Sequence, residues 1–228
     1  MDFGQIIRKN KGYFLPYFLL LTLGVFLLAR IPQGNENLYF VLFRGSIWDD
    51  IFKLATQLAE PIIILPIILI SLFVSFHKTV SIITAITVTL IISGISKTLF
   101  QHVRPVLFFH KLDRLAELVP VEGIQLLTGY SSFPSGHTMA AFSIFTLLAI
   151  QAKQKKLFGV IYIILAAAVG LSRIYLGHHF LKDVIVGSIF GVIIALFTYV
   201  LFERLANRPK WNRNIKTAFN KEKQKPIT

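Results

Sequence analysis

Long uninterrupted apolar runs are the feature that most constrains the fold of this chain of 228 residues. Hydrophobic residues make up 54% of the sequence and charged residues only 15%, and most charges lie between the runs. A soluble domain carries about 25% charged residues. Runs of this kind cross a bilayer as helices, because hydrocarbon offers no hydrogen-bond partner and a helix satisfies its own backbone. The sequence therefore predicts an all-α, polytopic membrane protein.

Six of the runs approach the ~20 residues that a helix needs to cross the hydrocarbon. Their approximate bounds are 13–29, 60–76, 80–100, 137–151, 157–176 and 183–202. We expect residues 1–205 to form one domain, a bundle of six transmembrane helices with short interfacial helices on the extracytoplasmic side. Residues around Trp48 alternate at helical spacing, which fits an amphipathic interfacial helix and fits an ordinary packed loop equally well. Residues 206–228 are predicted to form a flexible, basic cytoplasmic tail.

The positive charges predict the orientation of the bundle. Six spans place both termini on one side, and the segments on that side hold 15 of the 24 Lys and Arg residues. The positive-inside rule makes that side cytoplasmic. We therefore assign the formal net charge of +13 to topology and to anionic lipid headgroups, and expect no nucleic-acid partner. The predicted location is the cell membrane (the inner membrane of a Gram-negative cell), with the active site facing outward.

Three polar clusters interrupt the apolar runs, and all three fall on the predicted outer side. They are Lys97 with Arg104-Pro105, then Pro134-Ser135-Gly136-His137, and finally Ser172-Arg173 with His179 and Asp183. Ionisable residues at the edge of a span are costly, and they mark functional sites by default. The three clusters are therefore the predicted active site.

The residue types in these clusters suit the binding of a phosphoryl group. Lys97, Arg104 and Arg173 can neutralise its oxygens, and the two arginines present fixed donor forks. Ser135 and Gly136 stand at the start of a predicted helix, where free backbone N–H groups point at an anion. Glycine also lets the backbone approach such an anion closely.

The histidines suit the chemistry of phosphoryl transfer. Asp183 follows His179 by four positions, so it can hold one ring nitrogen and turn the other toward phosphorus. His137 is then left to protonate the departing oxygen. Each of these residues also has an ordinary explanation when taken alone, such as an interfacial cation or a helix cap. His178 fails the spacing test, because its fourth following residue is Lys182, and it is interpreted as a bystander.

Taken together and in order, the patterns K-x6-RP, PSGH and SR-x5-H-x3-D resemble the signature of the type 2 phosphatidic acid phosphatase superfamily, in its membrane lipid phosphatase branch. The match holds at every defining position between residues 97 and 183. The resemblance implies a metal-independent phosphatase that passes through a phosphohistidine. It implies that His179 is the nucleophile, that His137 is the general acid and that Asp183 orients His179. The residues implied to hold the phosphate are Lys97, Arg104, Ser135, Gly136 and Arg173.

No cofactor or metal is expected. Cysteine is absent from the chain, which excludes thiol nucleophiles and thiolate metal ligands. Two histidines and one aspartate could bind zinc, but three nearby cations would repel a divalent ion. The expected partners are a membrane lipid phosphate or diphosphate and the bilayer. A lipid phosphotransferase and an anion or lipid transporter remain as alternatives, and neither the physiological lipid nor the oligomeric state follows from the sequence.

Overall fold

The computed structural model describes residues 2–206, and the predicted basic tail beyond residue 206 lies outside the described residues. Within that range there are ten α-helices and no strand, which confirms the all-α prediction. The helices are α1 (Phe3–Lys9), α2 (Lys11–Arg30), α3 (Asn35–Val41), α4 (Ser46–Gln57), α5 (Pro61–Val74), α6 (Phe76–Phe100), α7 (Pro105–Lys111), α8 (Gly136–Gln151), α9 (Lys155–Tyr175) and α10 (Leu181–Ala206). A single 3-10 turn, Leu115–Glu117, follows α7.

Four helices, α2, α6, α9 and α10, are long and apolar enough to cross a membrane, which makes the protein multi-pass. Helices α4 and α5 meet at a bend of 47° and together form a fifth candidate span. Helix α5 alone has 14 residues and α8 has 16. At 1.5 Å per residue these two helices reach only roughly 21 and 24 Å, short of the ~30 Å hydrocarbon core. Helix length therefore does not establish the predicted count of six spans.

Helix α8 is the central helix of the bundle, packed against α6, α9 and α10. From Thr138 to Ile150 every side chain except those of Ala140 and Leu148 is buried. A helix whose side chains are buried on all sides lies in the interior of the bundle. A short helix is tolerated there, because irregular backbone at membrane depth is stable where protein surrounds it.

Two glycines bring α10 against α8. A Cβ built on Gly191 would lie 2.6 Å from the carbonyl oxygen of Met139, and one built on Gly187 would lie 2.9 Å from that of Ser135. Small residues four positions apart let helix backbones approach closely in membranes. As a result the beginnings of α8 and α10 touch, and the backbone N–H of Ser135 donates to the carbonyl of Asp183 at 3.1 Å.

The segment around Trp48, for which the sequence left a helix and a packed loop open, is helix α4, and it packs against α9. The Phe52 ring stacks on Tyr175 with centroids 4.2 Å apart, and the guanidinium of Arg44 covers the same tyrosine ring at 4.3 Å. These contacts hold α4 beside the last turn of α9, which carries Arg173. The depth of α4 in the bilayer stays a prediction.

Candidate active site

The three polar clusters meet at one end of the bundle. Lys97 lies near the end of α6, Arg104 directly precedes α7, and α8 begins at Gly136. Arg173 lies in the last turn of α9. An Arg104 Nη1 donates to the carbonyl of His178 at 3.1 Å, which joins the first cluster to the third. The fold thus brings together all eight residues that the sequence singles out.

Three cations, Lys97, Arg104 and Arg173, converge at this end of the bundle. Arg104 and Arg173 are 6% and 4% exposed, and the charges of Lys97, Arg104 and Arg173 repel one another. Within residues 2–206 none of the three has a carboxylate oxygen within 4.0 Å of its nitrogens. Burying like charges costs free energy unless an anion joins them. The electrostatics of the cluster therefore favour the binding of an anion.

Neutral acceptors hold the two arginines in position. Arg104 donates from Nη2 to the carbonyl of Ser131 at 3.1 Å and from Nε to the Ser131 hydroxyl at 3.2 Å. Arg173 donates from Nη1 to the hydroxyl of Thr56 at 2.6 Å, while its buried Nε has no hydrogen-bond partner in the described part of the chain. These acceptors are neutral, so they orient the two guanidinium groups without offsetting their positive charge.

The beginning of α8 contributes a backbone surface to the same site. The Ser135 side chain caps the helix, accepting from the Thr138 hydroxyl at 2.8 Å and from the Thr138 N–H at 3.4 Å. The first amides of a helix have no partner within it, and they carry partial positive charge. A Cβ on Gly136 would lie 3.0 Å from Ser93 Oγ and 3.6 Å from Lys97 Nζ. Glycine at this position therefore lets the Lys97 ammonium approach the helix N-terminus.

His179 precedes α10, so it does not share a helical face with Asp183. The turn between α9 and α10 nevertheless places His179 Nδ1 3.5 Å from Asp183 Oδ2. That oxygen accepts hydrogen bonds from the Ser132 hydroxyl at 2.5 Å and from the Phe180 N–H at 3.0 Å. Asp183 therefore both caps the start of α10 and faces the imidazole. His178 points elsewhere, with Nε2 3.1 Å from the carbonyl of Gln125.

Helix α3 fixes the turn that carries His179, a role that sequence reasoning missed. Asn37, 1% exposed, donates from Nδ2 to the carbonyls of Ile174 at 2.9 Å and His179 at 3.2 Å. Glu36 accepts from the N–H of Leu181 at 3.1 Å. In sequence these residues follow a turn-forming Gly34 and look like loop residues. Only their burial shows that they support the site.

Glu60 is a second residue that sequence reasoning missed, and it contacts His137 directly. Its Oε1 lies 2.6 Å from His137 Nε2. A carboxylate only accepts hydrogen bonds, so this contact requires a proton on Nε2. Glu60 directly precedes Pro61 at the start of α5. An acidic residue at the edge of an apolar run is itself a signal of function, and it could have identified Glu60.

Burial controls the protonation of the two neighbouring histidines. It lowers the pKa of His179 from 6.5 to about 4, with the Arg173 charge acting in the same direction and the Asp183 carboxylate opposing it. Burial likewise lowers the pKa of His178 to about 3, again with the Arg173 charge adding to the effect. Both side chains are therefore neutral at pH 7, and a neutral imidazole is the nucleophilic form.

The depressed pKa of His179 predicts a pH-dependent stability. Between the unfolded value of 6.5 and the folded value of about 4 the folded chain binds fewer protons, so the free energy of unfolding decreases as the pH falls through that window. From about pH 7.5 to about pH 5, thermal unfolding in detergent should show a Tm decrease about 4 °C larger in wild type than in His179→Gln. His110→Gln, at an exposed histidine, is the control and should match wild type. Equal pH dependence in all three proteins would contradict the assignment.

Comparisons with known proteins identify the family of this chain. The profile of the PAP2 superfamily matches residues 78–206, which contain all eight residues named above. Over 69 residues the chain is 44% identical to a Bacillus licheniformis protein named bacitracin transport permease protein BcrC, covering 30% of this chain and 32% of that one. Over 71 residues it is 38% identical to phosphatidylglycerophosphatase B of Bacillus subtilis (strain 168), covering 28% and 35%. The chain thus matches about a third of the length of these curated relatives.

A solved structure shows the same fold. The crystal structure of a transmembrane PAP2 type phosphatidylglycerolphosphate phosphatase from Bacillus subtilis aligns with 88% of this chain and 98% of that one. The TM-score is 0.64 and the sequence identity is 23%. The helical arrangement of residues 2–206 is therefore one that a crystal structure already contains.

Proposed function

Since this chain belongs to the PAP2 superfamily, we propose that it is an integral-membrane phosphatase that hydrolyses the phosphomonoester or diphosphate headgroup of a lipid. The observation that carries the proposal is the convergence of Lys97, Arg104 and Arg173 beside a neutral, buried histidine. Among residues 2–206 none of these cations has a carboxylate oxygen within 4.0 Å, so three positive charges are offset only at longer range by Glu60 and Asp183. Such a site is incomplete without an anion, and a phosphoryl group has the oxygens to accept from all three donors. Because the site lies at the end of an apolar membrane bundle, we expect the phosphorylated substrate to be a membrane lipid.

The reaction begins with His179. Its Nε2 lone pair forms a bond to phosphorus while the bond from phosphorus to the leaving oxygen breaks and that oxygen takes the electron pair. Asp183, 3.5 Å from Nδ1, favours the tautomer with the proton on Nδ1 and stabilises the positive charge that grows on the ring. Neutrality at pH 7 leaves Nε2 free to attack. The product of this step is a phosphohistidine.

His137 handles the proton in both steps. As an imidazolium whose Nε2–H faces Glu60, it donates its Nδ1 proton to the leaving oxygen in the first step. In the second step the neutral Nδ1 takes a proton from water while the water oxygen bonds to phosphorus, the bond from phosphorus to His179 Nε2 breaks, and His179 regains the electron pair. Glu60, 2.6 Å from His137 Nε2, fixes the orientation of the ring. Glu60 is thus a positioning residue, because it acts through His137.

The cradle supplies the electrostatic part of catalysis. Charge on the non-bridging oxygens is held by the two guanidinium groups, the Lys97 ammonium and the first amides of α8 at Ser135-Gly136. Donors that are already oriented before the reaction are worth more than donors that must reorganise. Thr56 and Ser131 provide that orientation for Arg173 and Arg104. No metal takes part in this scheme, because three cations would repel a divalent ion.

Phosphate release tests the proposal. Purified protein should liberate inorganic phosphate from a panel of lipid phosphates and diphosphates, EDTA should leave the rate unchanged, and vanadate should inhibit. Vanadate mimics the five-coordinate phosphorus that the cradle is built to hold. Loss of activity with EDTA that added Mg²⁺ or Zn²⁺ restores would overturn metal independence, and no release from any lipid of the panel would overturn the phosphatase proposal.

Two other functions could use the same residues. A phosphotransferase would pass the phosphoryl group from His179 to a second lipid, and radiolabel appearing in lipid rather than in free phosphate would identify it. Transport, which the name of the Bacillus licheniformis relative suggests for that protein, needs a polar path through the bundle. Ala85, Met139, Leu147, Ile194 and Ala195 instead form a closed apolar cluster in the interior. This packing argues against transport, and the radiolabel experiment distinguishes hydrolysis from phosphotransfer.

We further propose a six-span arrangement in which α4 and α5 form a bent span and α8 an enclosed one. This places both termini in the cytoplasm and the site on the extracytoplasmic face of the cell membrane, in agreement with the positive-inside rule. A phosphatase reporter fused after Thr228 should be inactive, and one inserted after Gly123, in the loop before α8, should be active. The reverse pattern would overturn the sidedness.

A further inference from the structure

A second pocket lies at the end of the bundle opposite the active site. It has a volume of about 550 Å³ and lies between α5, α6, the end of α8 and the beginning of α9. Lys78 on its wall and Lys97 in the active site are near opposite ends of α6, roughly 28 Å apart at 1.5 Å per residue. A group bound in this pocket therefore cannot be the phosphoryl group under attack by His179.

The mouth of the pocket is cationic. Lys78 and Lys153 both line it and are close enough to repel each other, and Lys78 donates to the carbonyl of Gln151 at 3.4 Å. In the part of the chain that the structure describes, no carboxylate oxygen lies within 4.0 Å of either ammonium. Two unneutralised ammonium groups at a membrane surface attract a negatively charged headgroup.

The floor and sides of the pocket are apolar. Ile70 and Val74 of α5 and Phe158 of α9 line it and are themselves partly exposed. Among the described residues helix α5 packs mainly against α6, and its Ile70 and Val74 are 64% and 53% exposed. The apolar walls of the pocket suit the acyl chain of a phospholipid, and the two lysines at its mouth suit the phosphate of the headgroup.

We propose that this pocket binds one anionic phospholipid, with its phosphodiester between Lys78 and Lys153 and an acyl chain between α5 and α9. The lipid is a resident ligand of the cytoplasmic leaflet and is distinct from the substrate. The bound lipid would contact both α5 and the α8–α9 turn, between which the pocket lies. Phosphatidylglycerol has both an acyl chain and a net negative charge, whereas zwitterionic phosphatidylcholine has the acyl chain without the net charge.

The test is thermal unfolding of the full chain in neutral detergent, titrated with phosphatidylglycerol, phosphatidylcholine or inorganic phosphate. Vanadate is present throughout, so that the active site is occupied in every sample. Phosphatidylglycerol should raise the Tm of wild type by about 5 °C at saturation. Lys78→Gln/Lys153→Gln should lose at least about two-thirds of that shift, and Lys153→Gln alone, at an exposed position, should lose part of it. Lys156 is also exposed but does not line the pocket, so Lys156→Gln is the matched control.

Three results would overturn the proposal. These are equal phosphatidylglycerol shifts in wild type and the double variant, an equal shift with phosphatidylcholine, and a full shift with inorganic phosphate alone. Should the double variant fail to fold, Lys153→Gln against Lys156→Gln decides the question by the same comparison. Because the readout is Tm and not turnover, a failure of the proposed phosphatase activity would leave this result interpretable.

Discussion

Replacing His179 with glutamine should lower lipid phosphate hydrolysis by about 10⁴-fold or more, because the attacking atom is lost and no neighbouring group can replace it. Glutamine keeps a polar side chain of similar length in the turn that Asn37 holds, so the fold should persist. Two measurements check the result. They are phosphate release, and the trapping of radiolabelled protein by rapid acid-free denaturation, which should show label in wild type and none in His179→Gln.

The adjacent histidine provides the control for this prediction. His178 is buried like His179, but its ring points toward the carbonyl of Gln125 instead of toward Asp183. His178→Gln retains a donor for that carbonyl and leaves the backbone acceptor of Arg104 in place. It should keep activity within about tenfold of wild type. Comparable losses in both variants, or label trapped on His179→Gln, would remove His179 from its role as nucleophile.

Replacing His137 with asparagine should lower hydrolysis of a lipid phosphomonoester by about 10²–10⁴-fold, the range that general acid catalysis supplies. The loss should depend on the leaving group. A lipid alkoxide needs a proton to depart, whereas the phenolate of an aryl phosphate does not. With an aryl phosphate the first step should therefore proceed, and the phosphohistidine should accumulate, because its hydrolysis still needs a base. Trapped radiolabel above the wild-type amount is the expected signature.

Glu60 supplies a graded comparison at the same point of the site. Glu60→Gln preserves the shape beside His137 Nε2 but removes the charge that faces it, so its effect should have the same leaving-group dependence with a smaller size, about tenfold. Glu117→Gln, at an exposed acid paired with Arg114, is the matched control and should have no effect. A His137→Asn loss that is equal for lipid and aryl phosphates, without trapped label, would show that His137 does not act as the acid.

Individual residues show where sequence reasoning succeeds and where it stops. Lys97, Arg104 and Arg173 could be identified because charge at the edge of an apolar run is costly and therefore informative. Asn37 could not, because a polar residue beside a glycine is ordinary in a turn, and its 1% exposure is a property of the folded chain. Glu60 lies between these cases. It stands at the edge of a run, but its partner His137 is 77 positions away.

The helix boundaries show a similar division. The length of a run predicts that a helix exists, but α5 and α8 end too soon to span the bilayer alone. Whether a short helix is tolerated depends on what surrounds it. Helix α8 is tolerated because other helices surround it, and the glycines of α10 allow one of them to pack closely. This surrounding exists only in the folded bundle.

The all-helical membrane character of this protein and the family to which it belongs follow from its sequence alone. Both are local properties, because the composition of each run makes it hydrophobic and each motif has a fixed spacing within a short segment. Which side chains come into contact depends instead on how the helices pack. The packing of α10 on α8 joins Ser135 to Asp183, the turn after α9 turns His179 toward that carboxylate, and the bend between α4 and α5 carries Glu60 to His137. Contacts between residues far apart in sequence arise from packing, and no spacing within a single segment encodes them.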